Sequence, residues 1–238
     1  MTLLFVMGAL AAGEAEFQAG NEALAAGRLP DAERGYREAL AAGAVDADVY
    51  YNLGNVLFRE DRPALAILAW RRALALAPRD PDSAANLDFA RRGVRDDVVT
   101  PDPAPAWAPW QAAVTADEGM WIGGAMVGAG LLLVAARRRA TALPLAAAGS
   151  GAVVVGTLLA AGGLHESVLP PAAVVLVDEV VAQSDLGGGV ALFTLHAGAE
   201  VQQVEVAAGQ VLVALGDGRK GWVAEAAVGT VDPFAAMP

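Results

Sequence analysis

The feature that most constrains this chain is the stretch Met120–Leu164, two apolar segments separated by Arg137, Arg138 and Arg139. The first, residues 120–136, has 17 residues and no charge. At about 1.5 Å per residue it reaches roughly 25 Å, just enough for the hydrocarbon core of a bilayer. The second, residues 140–164, is also uncharged, with Thr141, Ser150 and Thr157 as its hydroxyls. A core helix of this length in a soluble protein would carry a polar stripe, and neither segment has one. The expectation is a transmembrane hairpin: helix one over 120–136, a cytoplasmic arginine loop at 137–139, and helix two over 140–164. Arginines hold such a loop on the cytoplasmic side, so everything before Met120 and after Leu164 is expected on the opposite face. Neither span holds Asp, Glu, His, Lys or Arg, which argues against ion transport or proton relay. Gly124-Ala-Met-Val-Gly128 and Ala152-Val-Val-Val-Gly156 are small-xxx-small patterns that let helices approach in lipid.

The remainder of the 238 residues leaves room for two small domains. Net charge is −11, and after Glu166 the only basic residues are Arg219 and Lys220. A basic nucleic-acid surface is therefore excluded as a function class. Cysteine is absent, which removes disulfides, thiol catalysis and thiolate metal sites. Residues 1–15 read as a signal peptide: Leu3–Ala12 is apolar and Ala9-Leu10-Ala11 has the cleavage form, although no basic residue precedes it. The same stretch also reads as the first helix of the next domain.

Residues 16–95 repeat with a period of 34. Phe17 falls on Tyr51, Gly20 on Gly54, Asn21 on Asn55, Ala32 on Ala66, Tyr36 on Trp70 and Ala39 on Ala73. One period further, Asn52 falls on Asn86 and Leu53 on Leu87. This spacing of small and aromatic residues resembles the tetratricopeptide repeat, an all-α stack of helix pairs. Gly54 and Ala66 would let two antiparallel helices approach closely, Trp70 would fill the space between pairs, and Pro78 would end the second helix. Asp82–Arg92 reads as a capping helix over the second pair. Stacked pairs curve into a groove lined by the first helix of each pair, which here presents Asn21, Asn52, Asn55, Arg59 and Asn86. Amides can grip a peptide backbone and a guanidinium can meet a carboxylate, so these five are the candidate peptide-binding residues.

Residues 96–119 form a Pro-rich linker, with Asp96-Asp97 ending the helical pattern as solvated turn acids and Thr100-Pro-Asp-Pro-Ala-Pro forcing extended backbone. Trp107, Trp110 and Trp121 gather near the first apolar segment, as anchors at the headgroup level do. Residues 170–238 change to short β runs punctuated by Gly187-Gly188-Gly189, Ala208-Gly209 and Gly216-Asp-Gly218. Asp217-Gly218 between two runs signals a hairpin. The segments Leu192-Phe-Thr-Leu-His-Ala-Gly198 and Gly218-Arg-Lys-Gly-Trp-Val223 resemble a bacterial SH3-like barrel, with Trp222 expected in its core. A groove for proline-rich peptides needs clustered aromatics, which Phe193, Trp222 and Phe234 do not supply.

Taken together, the fold class expected is a multidomain membrane protein: all-α tetratricopeptide repeats, a two-helix transmembrane hairpin and a small all-β SH3-like barrel. That order, with Asn86-Leu-Asp-Phe-Ala-Arg91 closing the repeats, resembles BatE-type proteins of the bacterial aerotolerance operon. The resemblance implies a two-pass inner-membrane protein with both soluble domains in the periplasm. It implies as partners other membrane proteins of the same operon, some with von Willebrand A domains. The function expected is a non-catalytic, membrane-anchored adaptor. The alternative is an envelope sensor whose SH3-like domain binds peptidoglycan. No cofactor or metal is expected: His165 and His196 are the only histidines, and no Ser–His–acid, zinc or phosphate-loop pattern is present.

Overall fold

The computed structural model describes residues 2–96, 116–136, 143–168 and 171–238. The chain divides into two compact units, one made of residues 1–100 together with 170–238, the other of residues 101–169.

The first unit opens with five helices: α1 (Thr2–Ala25), α2 (Leu29–Ala41), α3 (Ala47–Arg59), α4 (Pro63–Leu76) and α5 (Pro81–Arg91). Their starts are written in the sequence. Pro30, Pro63 and Pro81 stand in first turns, where a missing N–H costs nothing. Asp46 and Asp80 cap α3 and α5, accepting from the backbone N–H of Asp48 and of Ser83 at 2.9 Å each. Gly27 and Gly43, at φ 72° and 94°, close α1 and α2. Residues 2–15 are continuous with the rest of α1, so the segment read as a signal shares a helix with Phe17 and Asn21.

The 34-residue repeat is realised as matched helix pairs. A methyl on Gly20 would meet the Tyr36 ring at 2.7 Å, and one on Gly54 would meet Trp70 Nε1 at 2.6 Å. Each glycine is the floor on which the aromatic of the partner helix rests. Trp70 therefore seats within its own pair, against Phe58 at 5.7 Å between centroids, and also borders a cleft with Asn86 and Phe89 of the next helix.

After α5 the helical pattern gives way to a seven-stranded antiparallel sheet. Its strands are β1 (Ala172–Val175), β2 (Glu179–Gln183), β3 (Ala191–His196), β4 (Glu200–Ala207), β5 (Gln210–Ala214), β6 (Lys220–Ala224) and β7 (Val228–Thr230). The order is β3-β2-β6-β5-β4-β1-β7, with register shifts after Ala182 and Gln203. The ladder runs from β3 to β7, and among the described residues no strand pairing joins these two ends, so an antiparallel sheet is what stands of the expected barrel. Asp217-Gly218 does join β5 to β6, with Gly218 at φ 89°. Trp222 is only half-buried: Gly221 and Val223 point into the core, and the two-residue period of a strand turns Trp222 the other way.

Helices and sheet are not separate domains. Strand β1 is buried on both faces. Ala173 and Val175 join Leu195, Val201, Val211, Val213 and Val223 in the sheet core. Val174 joins Leu53, Ile67, Leu68 and Leu87 in the helical core, with Leu176, Val231 and Met237 beside it. The apolar face of α4 is thus covered by the sheet as well as by α5, where the sequence suggested the capping helix alone.

The second unit holds α6 (Ala116–Ala136) and α7 (Leu143–Val168), packed on each other. Among the described residues one stretch, Asp117–Ala135, is long and apolar enough to cross a membrane, at 19 residues and mean hydropathy 1.5. The apolar stretch described in α7 is shorter, Ser150–Ala161. The helices meet where Gly123 and Gly156 face each other: a methyl on Gly123 would lie 2.5 Å from the Gly156 carbonyl oxygen, and one on Gly156 2.6 Å from that of Gly123. Gly156 is where the small-residue pattern put it. Gly124 and Gly128 have open space instead, since the contact on α6 runs through Gly123 and Met126. Trp121 and Leu132 stand 80% and 73% exposed on this unit. The Arg137–Arg139 loop, Trp107 and Trp110 lie outside the described residues.

Candidate peptide groove

The first helix of each pair, α1, α3 and α5, brings the five asparagine and arginine candidates to one surface as two rungs and a cleft. In the first rung Asn52 Nδ2 donates to Asn21 Oδ1 at 3.1 Å, and the Tyr36 hydroxyl donates to the same oxygen at 2.9 Å. Burial pushes the Tyr36 phenol up to about 12, so it remains a donor throughout the neutral range. In the second rung Asn86 Nδ2 donates to Asn55 Oδ1 at 2.8 Å. Both rungs join residues 31 apart. A separation of 34 finds equivalent positions in successive repeats, and subtracting about one helical turn finds the residues that touch across them.

The rungs leave defined capacity. An amide carries two N–H donors and one carbonyl acceptor with two lone pairs. In the second rung Asn55 keeps its NH2 and Asn86 its carbonyl oxygen. In the first, Asn21 keeps its NH2 and Asn52 its oxygen. Each rung therefore offers one donor group and one acceptor, the complement of a peptide unit's C=O and N–H. The mutual hydrogen bond fixes the rotamers beforehand, so less side-chain entropy is lost on binding.

Beside the second rung is a cleft of about 390 Å³ lined by Tyr51, Asn55, Phe58, Arg59, Trp70, Asn86 and Phe89. Phe58 and Phe89, again 31 apart, meet edge-to-face at 5.8 Å between centroids. Phe89 is 57% exposed, a large aromatic held open at a groove. Both phenylalanines escaped the sequence reading. Their separation, shared with the two asparagine pairs, was the available signal.

A second group of polar residues, also missed in the sequence, ties the sheet to the helices. Arg72 on α4 has no exposed surface. Its Nε and Nη2 donate to the Thr230 carbonyl at 3.1 and 2.9 Å, and Nη1 and Nη2 to the carbonyls of Ala235 and Ala236 at 3.0 and 3.3 Å. The guanidinium also lies over the Tyr50 ring at 5.7 Å, while the Tyr50 hydroxyl donates to the Pro233 carbonyl. Glu200 on β4, 7% exposed, pairs with Arg91 at 2.6 Å and Arg71 at 3.1 Å. Burial lowers the Arg71 guanidinium from its usual value, opposed by Glu200. The hydrogen bonds that Arg91 donates to the Glu200 carboxylate raise the Arg91 guanidinium above its usual value. Asp96, read from the sequence as a solvated turn acid, is half-buried and accepts from the His196 backbone N–H at 2.6 Å, with its other oxygen 2.8 Å from His196 Nδ1. The arginine pair Arg71-Arg72 inside the apolar helix Pro63–Leu76 was the sequence signal that this face would be covered. Among the described residues no group of three or more His, Asp or Glu is placed to hold a metal ion.

A tetratricopeptide repeat family model matches residues 47–80, which are α3, α4 and the turn after them. Neither the curated proteins nor the solved structures offer a match to the chain. The repeat indicates a role in protein–protein interaction.

Proposed function

We propose that this protein is a non-catalytic adaptor of the bacterial envelope, anchored by α6 and α7, whose repeat groove grips an extended segment of a partner protein. The observation that carries the reading is the pair of amide rungs, each with a fixed free donor and acceptor, beside an open aromatic cleft. The anchoring rests on the outward side chains of the helix pair, which include Trp121, Leu131, Leu132, Val154, Val155 and Leu158, and on the chain order. That the compact unit is assembled from residues on both sides of the insertion supports a reading in which its two parts share one side of the bilayer and the insertion crosses it twice. The positive-inside rule puts Arg137–Arg139 in the cytoplasm and the unit in the periplasm. In this reading the protein works as a BatE-type component, and its partners are membrane proteins of the von Willebrand A type.

A reporter active only outside the cytoplasm, joined through a flexible linker after Pro238, is expected to be active; joined after Arg139 it is expected to be silent. The reverse pattern overturns the orientation. For the groove, Asn55→Ala with Arg59→Ala is expected to keep expression and helix content while weakening co-purification of membrane partners. Deleting strands is no fair control, because the sheet shares a core with the helices. Leu192→Asp on the outer strand β3, where Leu192 is exposed, is the proper comparison. If Leu192→Asp loses the partners, or loses binding to purified peptidoglycan, and the groove variant keeps them, the sheet is the binding module.

A further inference from the structure

We infer that the segment gripped by the groove is acidic and carries an aromatic or large aliphatic anchor; this rests on the adaptor reading above and specifies its partner. The basis is where the unpaired charge lies. The chain holds 27 acids against 16 bases, and its arginines are mostly paired: Arg28 and Arg34 with Asp31, Arg37 with Glu33, Arg62 with Glu33 and Glu60, Arg71 and Arg91 with Glu200, Arg219 with Asp217. Arg59 and Arg92 are exposed and have no carboxylate partner among the described residues. Both stand at the C-terminal ends of the groove helices. Arg59 lines the cleft, and the Arg92 guanidinium lies 5.2 Å over the Phe89 ring. Arg95 and Lys220 are likewise exposed without a carboxylate partner among the described residues, but Arg59 and Arg92 line two clefts that share Phe58 and Phe89, and two unpaired arginines there, on a chain with excess acid, are the charge complement of an acidic ligand.

The shape supplies the second half. The aromatic cleft continues past Phe58 and Phe89 into another of about 410 Å³, lined by Pro63, Ala64, Ile67, Ala90, Val94 and Gly198, with Arg92 and Asp61 also on its wall. An apolar side chain fits between Phe58 and Phe89, where ring contacts favour an aromatic. The carboxylates that flank it then meet Arg59 and Arg92. Asp61, also on the wall of the second cleft, opposes a carboxylate there. Asp48 and Asp82 stand at the opposite end of the groove helices, about 16 Å along α3 from Arg59. The groove is therefore polarised, and the acidic part of the ligand belongs at the Arg59–Arg92 end.

The test is selection from a phage-displayed random decapeptide library on the detergent-solubilised full chain. Enriched sequences are expected to place Asp or Glu beside Phe, Trp or Leu, and to be released by high salt. Arg59→Glu with Arg92→Glu is expected to weaken them by about tenfold or more. The same charge reversal is expected to select Lys- and Arg-bearing sequences instead, a gain that a misfolded protein cannot show. If the enriched peptides depend on Asn55 and Asn86 but are neutral or basic, the acidic ligand is wrong and the adaptor reading stands. If no enriched peptide depends on any groove residue, both fall.

Discussion

Tyr36 shows how much a single side chain carries. Its ring rests on Gly20, its neighbour is Phe17 at 5.9 Å, and its hydroxyl anchors the first amide rung. Burial pushes its phenol up to about 12 from the ordinary 10.0. A raised folded value means the protonated form is favoured in the fold. The stabilisation is complete below pH 10 and is lost as pH rises through 12. Alkaline unfolding of the wild type is thus expected to steepen between those values, and Tyr36→Phe to flatten that limb, read by circular dichroism against pH. At the other end of the chain, Ala208 and Gly209 join β4 to β5 with φ of 49° and 74°. Glycine adopts that conformation freely and alanine does not. Ala208→Asn suits a turn with two positive φ values, and is expected to stabilise by about 0.5–1 kcal/mol in denaturant titration. The glycines under Tyr36 and Trp70 were legible because a 34-residue self-comparison aligns them. The amide rungs were not, because residues that touch are not residues that are equivalent.

Among elements, α6 and α7 give the sharpest contrast between sequence pattern and packing. Gly124-xxx-Gly128 fits the small-residue motif yet faces open space, while Gly123 and Gly156 bring the backbones together. In a segment so rich in Ala and Gly, motif matches occur by composition alone. Gly156→Ile is expected to separate the helices and lower the thermal midpoint of the detergent-solubilised protein. Gly128→Ile is expected to leave it unchanged. Equal effects would mean the helices meet through the other face. Strands were more legible: the β runs that apolar alternation and Gly-rich breaks mark in the sequence, Val174–Val177, Val180–Gln183, Ala191–Leu195, Glu200–Val206, Val211–Leu215 and Gly221–Ala224, match β1 to β6 within two residues at each end. What the pattern withheld was the opposite side of the sheet. Trp222 went to the half-buried face because alternation fixes which residues share a face without saying which face is covered.

At the scale of the whole molecule, Arg72 is the residue on which helices and sheet depend together. Its donors are matched to carbonyls of Thr230, Ala235 and Ala236, more than 150 residues later. Arg72→Leu keeps an apolar stem but leaves those carbonyls without partners. These bonds are part-buried, and a hydrogen bond to a charged group contributes about 1.5–3 kcal/mol, so the expected loss is about 3 kcal/mol or more in chemical unfolding of the full chain. A loss below about 1 kcal/mol would show that the tail is merely resting on the helices. Contacts across such separations carry no local periodicity, so the fusion of helices and sheet was not readable from either half.

The shared strand β1 also sets an order of events. Ribosomes add residues one after another, and the helical half, which ends with α5 at Arg91, is complete about eighty residues before β1 begins at Ala172. At about 5–20 residues per second the interval is about 4–16 s. During it, Ile67, Leu68 and the Arg72 guanidinium wait without their β1 and C-terminal partners while the apolar insertion is being synthesised. The helical half is in effect a nascent intermediate with an unpaid face, and it acquires its lid only when the chain has returned from the insertion.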